Sequence, residues 1–165
     1  MLIGLIADTH DNLPMVDKAV KKLNELNVGL VLHAGDYVAP FVIPKLKELK
    51  AKLIGVFGNN DGDRGLLQKR FNEYEHLEVH GGFAEIIVGD LKIALLHGDE
   101  EELLEALINS QSFDVVVHGH NHKAEVYQKD KTLIVNPGEV CGYLSGKSTI
   151  ALFDTDKRKA EIIEL

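Results

Sequence analysis

Val115-Val116-Val117-His118-Gly119-His120-Asn121-His122 joins three β-branched residues to a glycine-punctuated run of histidines. The apolar run reads as a buried strand, and it stops where the imidazoles begin. In an extended chain residues two apart point the same way, so His120 and His122 are expected to leave the strand end on one side, spaced to address two neighbouring metal ions. Other ligands must come from elsewhere, and the same strand-then-polar pattern recurs upstream.

Leu91–Leu96 runs into His97-Gly98-Asp99, and Lys52–Phe57 into Gly58-Asn59-Asn60-Asp61-Gly62. Leu30–Leu32 runs into His33-Ala34-Gly35-Asp36, and Leu2–Ala7 into Asp8-Thr9-His10-Asp11-Asn12. Between them, Met15, Ala19, Leu23 and Leu26 recur at helical spacing after Pro14, with lysines opposite, and the pattern ends near Asn27 and Gly29. Helices are also predicted from Phe41 to Leu49, around Leu66 to Phe71, and from Glu101 to Ile108, where acids suit the N-terminus. Three βα repeats with polar residues at the strand ends describe half of an open α/β sheet whose ligand crevice lies at that edge. Further strands are predicted at Leu77–His80, Phe83–Val88, Ala124–Gln128 and Thr132–Val135, with Thr149–Phe153 paired to Lys159–Ile163. Gly89-Asp90 makes a two-residue hairpin turn. Two facing sheets with helices outside are the expected architecture, in a single domain spanning residues 1–165 with no internal repeat.

The formal net charge of −8 excludes a diffuse basic surface, so no long nucleic acid is expected as a partner. A small anionic substrate would need a local cation, and a bound metal can be the largest positive charge in such a cleft. The single Cys141 rules out an intramolecular disulfide and a Cys-rich zinc site, and fits a reducing cytoplasm. Met1–Ala7 is apolar but lacks a basic leader and runs into Asp8, so it reads as a strand rather than a signal. No stretch approaches the ~18 apolar residues of a membrane span, and a soluble protein without membrane contact is expected.

Collecting the polar residues after strands yields Asp8, His10, Asp36, Asn59, His97, His120 and His122 as metal-ligand candidates. Imidazoles mixed with carboxylates suit Mn, Fe, Co, Ni or Zn better than Ca or Mg. Seven donors exceed the needs of one ion. Two ions ~3.5 to 4 Å apart need a shared carboxylate, and such a pair clamps the attacking and leaving oxygens of an in-line phosphoryl displacement. Asp36 is assigned as the bridge.

These residues resemble the calcineurin-like metallophosphoesterases. The pattern D-x-H, G-D, G-N-x-D, H-G, G-H-x-H appears in order as Asp8-Thr9-His10, Gly35-Asp36, Gly58-Asn59-Asn60-Asp61, His97-Gly98 and Gly119-His120-Asn121-His122. Five short motifs in order are far more specific than one. The short chain, the Asp-Thr-His-Asp start and Asn136-Pro137-Gly138 further resemble the small bacterial and archaeal phosphodiesterase branch. The resemblance implies a four-layer αββα sandwich of two mixed sheets with helices on the outer faces. It also implies two divalent transition-metal ions, manganese first and nickel, cobalt, iron or zinc as alternatives. Asp8, His10, Asp36 and His122 would hold one ion, and Asp36, Asn59, His97 and His120 the other. Many family members carry His where this chain has Asn60, and that His resembles a proton donor to the leaving group. Asn cannot supply a proton, and general acid catalysis is worth ~10²- to 10⁴-fold, so substrates that leave well as anions are favoured. The expected function is a metal-dependent phosphoric diester hydrolase with a metal-bridging hydroxide as nucleophile, Asp36, Asn59, Asn60 and His97 serving catalysis.

Two alternatives accompany that reading. One is a phosphomonoesterase or nucleotidase. The other is a binding module, because a retromer scaffold subunit resembles the same fold with several ligands lost; here every ligand position is filled. Among the remaining polar residues, His118 and His33 are expected in the core or behind the ligands, and His76 and His80 at the surface. Asp11, Asp61 and Asp63 are read as loop or capping residues, Asn12 and Asn60 as candidates to face the substrate, and Asp99, Glu100, Glu101 and Glu102 as a solvated helix start. His33 and Arg64 are the groups able to replace the missing acid or hold a phosphate oxygen. Both are set aside, one preceding the motif and the other a lone charge on a predicted helix. Tyr37-Val38-Ala39-Pro40-Phe41 reads either as an apolar surface for a homodimer or as a loop packed on its own core.

Overall fold

The computed structural model describes residues 1–165. The chain opens with strand β1 (Leu2–Ile6), helix α1 (Leu13–Glu25), β2 (Leu30–His33), a 3-10 turn at Pro40–Val42, α2 (Ile43–Leu46), β3 (Lys52–Gly55), α3 (Arg64–Phe71) and β4 (Leu77–Val79). It continues with β5 (Phe83–Val88), β6 (Leu91–Leu96), α4 (Glu101–Ser110), β7 (Val115–Val117), β8 (Ala124–Lys129), β9 (Thr132–Pro137), β10 (Thr149–Asp154) and β11 (Lys159–Glu164). Six strands form one mixed sheet in the order β11-β10-β1-β2-β3-β4, and five form another in the order β5-β6-β7-β9-β8. In the first sheet β1 to β4 run parallel. In the second, β6, β7 and β9 do.

Strand periodicity sorts the side chains into layers. Ile3, Leu5 and Ala7 of the first strand meet Ile93, Leu95, Val115 and Val117 in a buried cluster between the sheets. The alternate residue Ile6 faces outward with Val31 and Leu53, against Val16, Ala19 and Leu23 of α1 and Leu67 of α3. On the far side, Ala94, Leu96, Val116 and Ile134 are covered by Ile108 of α4 and Phe113. The result is an α/β fold of four layers, αββα, with three helices on one outer face and one on the other. Gly4 permits α1 to pack on the first sheet, because a Cβ there would lie 2.3 Å from Leu23 Cδ2.

One local expectation is corrected. The helix predicted from Phe41 to Leu49 is a 3-10 turn followed by a single helical turn. Pro40 and Pro44 each lack an N–H and each suits a helix start, so they divide the segment. Tyr37-Val38-Ala39-Pro40-Phe41 divides between core and surface. Tyr37 is fully buried, its ring 4.0 Å from that of His33 and 5.2 Å from that of Phe71, and Phe41 is the one strongly exposed member. No helix is long and apolar enough to cross a membrane.

Candidate metal centre

The loops after β1, β2, β3, β6 and β7 converge at one edge of the two sheets. Their backbones are tied before any side chain is considered: Asp8 N–H donates to Gly35 O at 3.0 Å, His10 N–H to Asp36 O at 3.1 Å, and Gly119 N–H to His97 O at 2.9 Å. Five of the seven candidate ligands, Asp8, His10, Asp36, His120 and His122, have positive φ. Such residues persist only where the surroundings over-determine them. Glycines let the loops close this tightly. A Cβ on Gly58 would lie 2.2 Å from Asp36 Oδ1, and one on Gly119 2.7 Å from Asp8 Oδ2.

The strand-parity argument for His120 and His122 is corrected here. Strand β7 ends at Val117, and both histidines lie in left-handed conformations at φ 70° and 59°. The chain turns because His120 N–H donates to Asp8 Oδ2 at 3.1 Å and Asn121 N–H to Gly119 O at 2.9 Å. The two imidazoles therefore separate into different groups. The His122 ring stands 5.2 Å from His10, and the His120 ring 5.1 Å from His97.

Around Asp36 the donors fall into two sets. Asp36 Oδ2 is 3.3 Å from His10 Nε2 and 3.4 Å from His97 Nε2. On the His10 side, Asp8 Oδ1 lies 3.7 Å from His10 Nε2 and 3.5 Å from His122 Nε2. On the His97 side, Asn59 Oδ1 lies 2.9 Å from His97 Nε2 and 3.1 Å from His120 Nδ1. All seven candidates are thus brought together, with one carboxylate shared.

The donor set fits divalent cations. Asp8 Oδ1 and His10 Nε2 are buried without a hydrogen-bond partner, a costly state unless a cation pairs them. His97 Nδ1–H donates to Ala34 O at 2.8 Å, which turns the Nε2 lone pair toward Asn59 Oδ1 and Asp36 Oδ2, themselves acceptors. Asp8, His10 and His122, and again Asp8, Asp36 and His97, place ligand atoms within 4.8 Å of one another. The same field acts on protons. The neighbouring Asp36 and Asp8 carboxylates push His10 up to about 9. Burial pushes His97 down, but Asp36 outweighs it and the imidazole is raised. Burial would raise Asp36, yet the neighbouring His10 and His97 imidazoles and the Asn60 amide hold it far below the carboxylate range.

Behind the ligands the structure distributes the other polar residues. Asn60 is exposed and also contacts the shared carboxylate: its Nδ2 donates to Asp36 Oδ2 at 2.7 Å and its N–H to Asp36 Oδ1 at 2.8 Å. Asp61 accepts from the N–H groups of Asp36, Val38 and Gly58, and Asp63 caps α3 at Leu66 N–H. Asn12 Nδ2 donates to Cys141 O at 2.7 Å, tying two loops together rather than turning outward. Asp11 is half-buried, and burial raises its carboxyl. His33 and His118 are buried, and burial lowers both, His33 to about 3. His80 is exposed and His76 half-buried, its ring within 3.0 Å of Lys47 O. Glu101 and Glu102 occupy the first turn of α4, and Asp99 and Glu100 precede it, all four exposed.

Sequence reasoning missed Glu139. It is fully buried, and its carboxylate accepts from His122 Nδ1 at 2.7 Å, from Cys141 Sγ at 3.0 Å and from the N–H groups of Tyr143, Leu144 and Ser145. Asn136 supports the same region, donating to Gly119 O and to Asn121 Oδ1. The signal was present: Pro137-Gly138-Glu139 follows a strand as Gly35-Asp36 does.

A two-sheet sandwich with this ligand edge defines a metallophosphoesterase architecture, and the chain matches the calcineurin-like phosphoesterase superfamily domain over residues 1–158. The chain belongs to that superfamily. It is 40% identical, over all of its length and 99% of the relative's, to phosphodiesterase MJ0936 of Methanocaldococcus jannaschii. It superposes at a TM-score of 0.95, 40% identity and full coverage of both chains, on a structure described as a novel archaeal phosphodiesterase. A wild-type Vps29 from Entamoeba histolytica, described as complexed with zinc, shares the fold at a TM-score of 0.74 and 21% identity over 99% of each chain.

Proposed function

We propose that this chain is a dinuclear, metal-dependent phosphodiesterase acting on small phosphodiesters, with Asp8, His10, Asp36 and His122 holding one divalent ion and Asp36, Asn59, His97 and His120 the other. The observation that carries the reading is Asp36 Oδ2 standing between His10 Nε2 and His97 Nε2, each with its own donor set. When bound, the two ions supply a hydroxide nucleophile at neutral pH and the positive charge that in-line displacement at phosphorus needs. Manganese is the first candidate, with nickel, cobalt, iron and zinc sharing the ligand preference.

The chain's own residues shape the rest. Glu139 and Ala34 O hold the outer nitrogens of His122 and His97, so each Nε2 faces inward. Asn60 spends its amide on Asp36 and offers no proton, which favours diesters whose leaving groups depart as stable anions. The 40% identity to a named phosphodiesterase supports the diester reading over a monoesterase. The filled ligand positions weigh against a scaffold role, and the free Cys141 fits the cytoplasm.

The test is hydrolysis of a chromogenic aryl phosphodiester against the matching monoester, on metal-stripped protein refilled in turn with Mn, Ni, Co, Zn and Mg. Metal-dependent turnover with the diester preferred is the expected result. Equal or faster turnover of the monoester would install the monoesterase reading, and no turnover with metal bound would end the catalytic one.

A further inference from the structure

Set aside in the sequence as a lone charge, Arg64 is carried by the fold to a cavity that the candidate ligand His97 also lines. Asp63 Oδ1 caps α3 at Leu66 N–H, which makes Arg64 the first helical residue and lets its side chain reach back over the preceding loop. Arg64 Nη2 donates to Gly58 O at 2.8 Å, next to the ligand Asn59, and the guanidinium lies over the Phe57 ring at 5.6 Å. Arg64 and His97 then line one small cavity of about 80 Å³ together with Phe57, Gly98, Asp99 and Glu100.

Of the three arginines, Arg70 and Arg158 are ion-paired with carboxylates, whereas Arg64 is paired with none, although Asp99 and Glu100 share its cavity. One hydrogen bond leaves most of a five-donor fork free, held in place by a carbonyl and an aromatic face. A planar, permanently charged fork matches phosphate oxygens better than any other side chain. The need is plain in a chain of net charge −8 whose metal centre is itself built on carboxylates.

We propose that Arg64 is a substrate-binding residue whose guanidinium holds a phosphate oxygen of the diester on the His97 side of the metal centre. This rests on the phosphodiesterase reading, but part of its test does not. Binding of inorganic phosphate to the metal-loaded wild type, Arg64→Ala and Arg64→Lys is measured by calorimetry, alongside metal affinity and diester kinetics. Arg64→Ala is expected to weaken phosphate about 10- to 100-fold and to raise KM for the diester, with metal affinity unchanged and Arg64→Lys between the two. Unchanged phosphate affinity overturns the proposal. So does a loss of metal affinity by the same factor, which would make Arg64 only a brace for the loop from Gly58 to Asn60. If the wild type cleaves no diester yet loses phosphate affinity with Arg64→Ala, the function fails and the phosphate contact stands.

Discussion

Glu139 Oε2 accepts a 2.7 Å hydrogen bond from His122 Nδ1, and the same carboxylate closes the loop through the N–H groups of Tyr143, Leu144 and Ser145. One buried side chain therefore sets the ring orientation of a candidate ligand and the path of the chain that packs beside it. Carboxylate partners of this kind raise ligand basicity, and losing them costs about 10- to 100-fold in metal affinity. Glu139→Gln keeps the shape and removes the charge. A competition titration with a chelator is expected to show metal affinity falling by about 10-fold or more while the circular dichroism spectrum is retained.

Glu139 also shapes the acid limit of stability. Burial alone would raise its carboxyl, but hydrogen bonds from Cys141, His122 and Ser145 bring it down to about 2, against an ordinary value of 4.5. Between those values the unfolded chain binds a proton that the folded one refuses, so stability present above about 4.5 is lost as pH falls toward 2. Urea unfolding of the metal-free protein from pH 6 to 3 is expected to show the midpoint dropping over this window, and Glu139→Gln is expected to flatten the drop.

His33 is expected to stay neutral in the native state. Gly35 N–H donates to its Nδ1 at 3.1 Å, so Nε2 carries the proton and points at Thr9 Oγ1, 3.3 Å away, which in turn donates to Asp36 O. Burial lowers the imidazole to about 3. Nitrogen-detected NMR of the metal-free protein is expected to show a single Nε2–H tautomer that does not titrate between pH 5 and 8. An ordinary titration near 6.5 would contradict the buried chain of bonds. Because the unfolded His33 does protonate below 6.5, this group too withdraws stability as pH falls through the window between 6.5 and 3.

Asn60→Ala removes the 2.7 Å amide contact to Asp36 while leaving the backbone N–H bond in place. A hydrogen bond to a charged group is worth about 1.5 to 3 kcal/mol. A fall of about 10-fold or more in kcat/KM for an aryl diester is expected. With no proton donor lost, the dependence of rate on leaving-group pKa should keep its slope, and a steeper slope in the variant would mean that Asn60 assists the leaving group directly.

The residues themselves marked where the candidate ligands lie along the chain. Apolar runs broken by Gly-Asp, Gly-Asn and His-Gly announce strand ends, hydrophobic periodicity marked α1, and an acidic first turn marked α4, without any tertiary information. Local pattern fell short where distance in sequence is large. Nothing near Glu139 indicates that it meets His122, because that contact depends on β9 lying beside β7. The arrangement of His120 and His122 was misread for a related reason: an extended chain was assumed, whereas a hydrogen bond to Asp8, 112 residues away, turns the backbone left-handed. Likewise the sequence leaves the place of Tyr37 open between core and surface, and reads Arg64 as a lone charge on a helix. Burial of Tyr37 and delivery of Arg64 to the cavity beside His97 are decided by which surfaces the packed sheets and helices cover, and only the folded chain determines that.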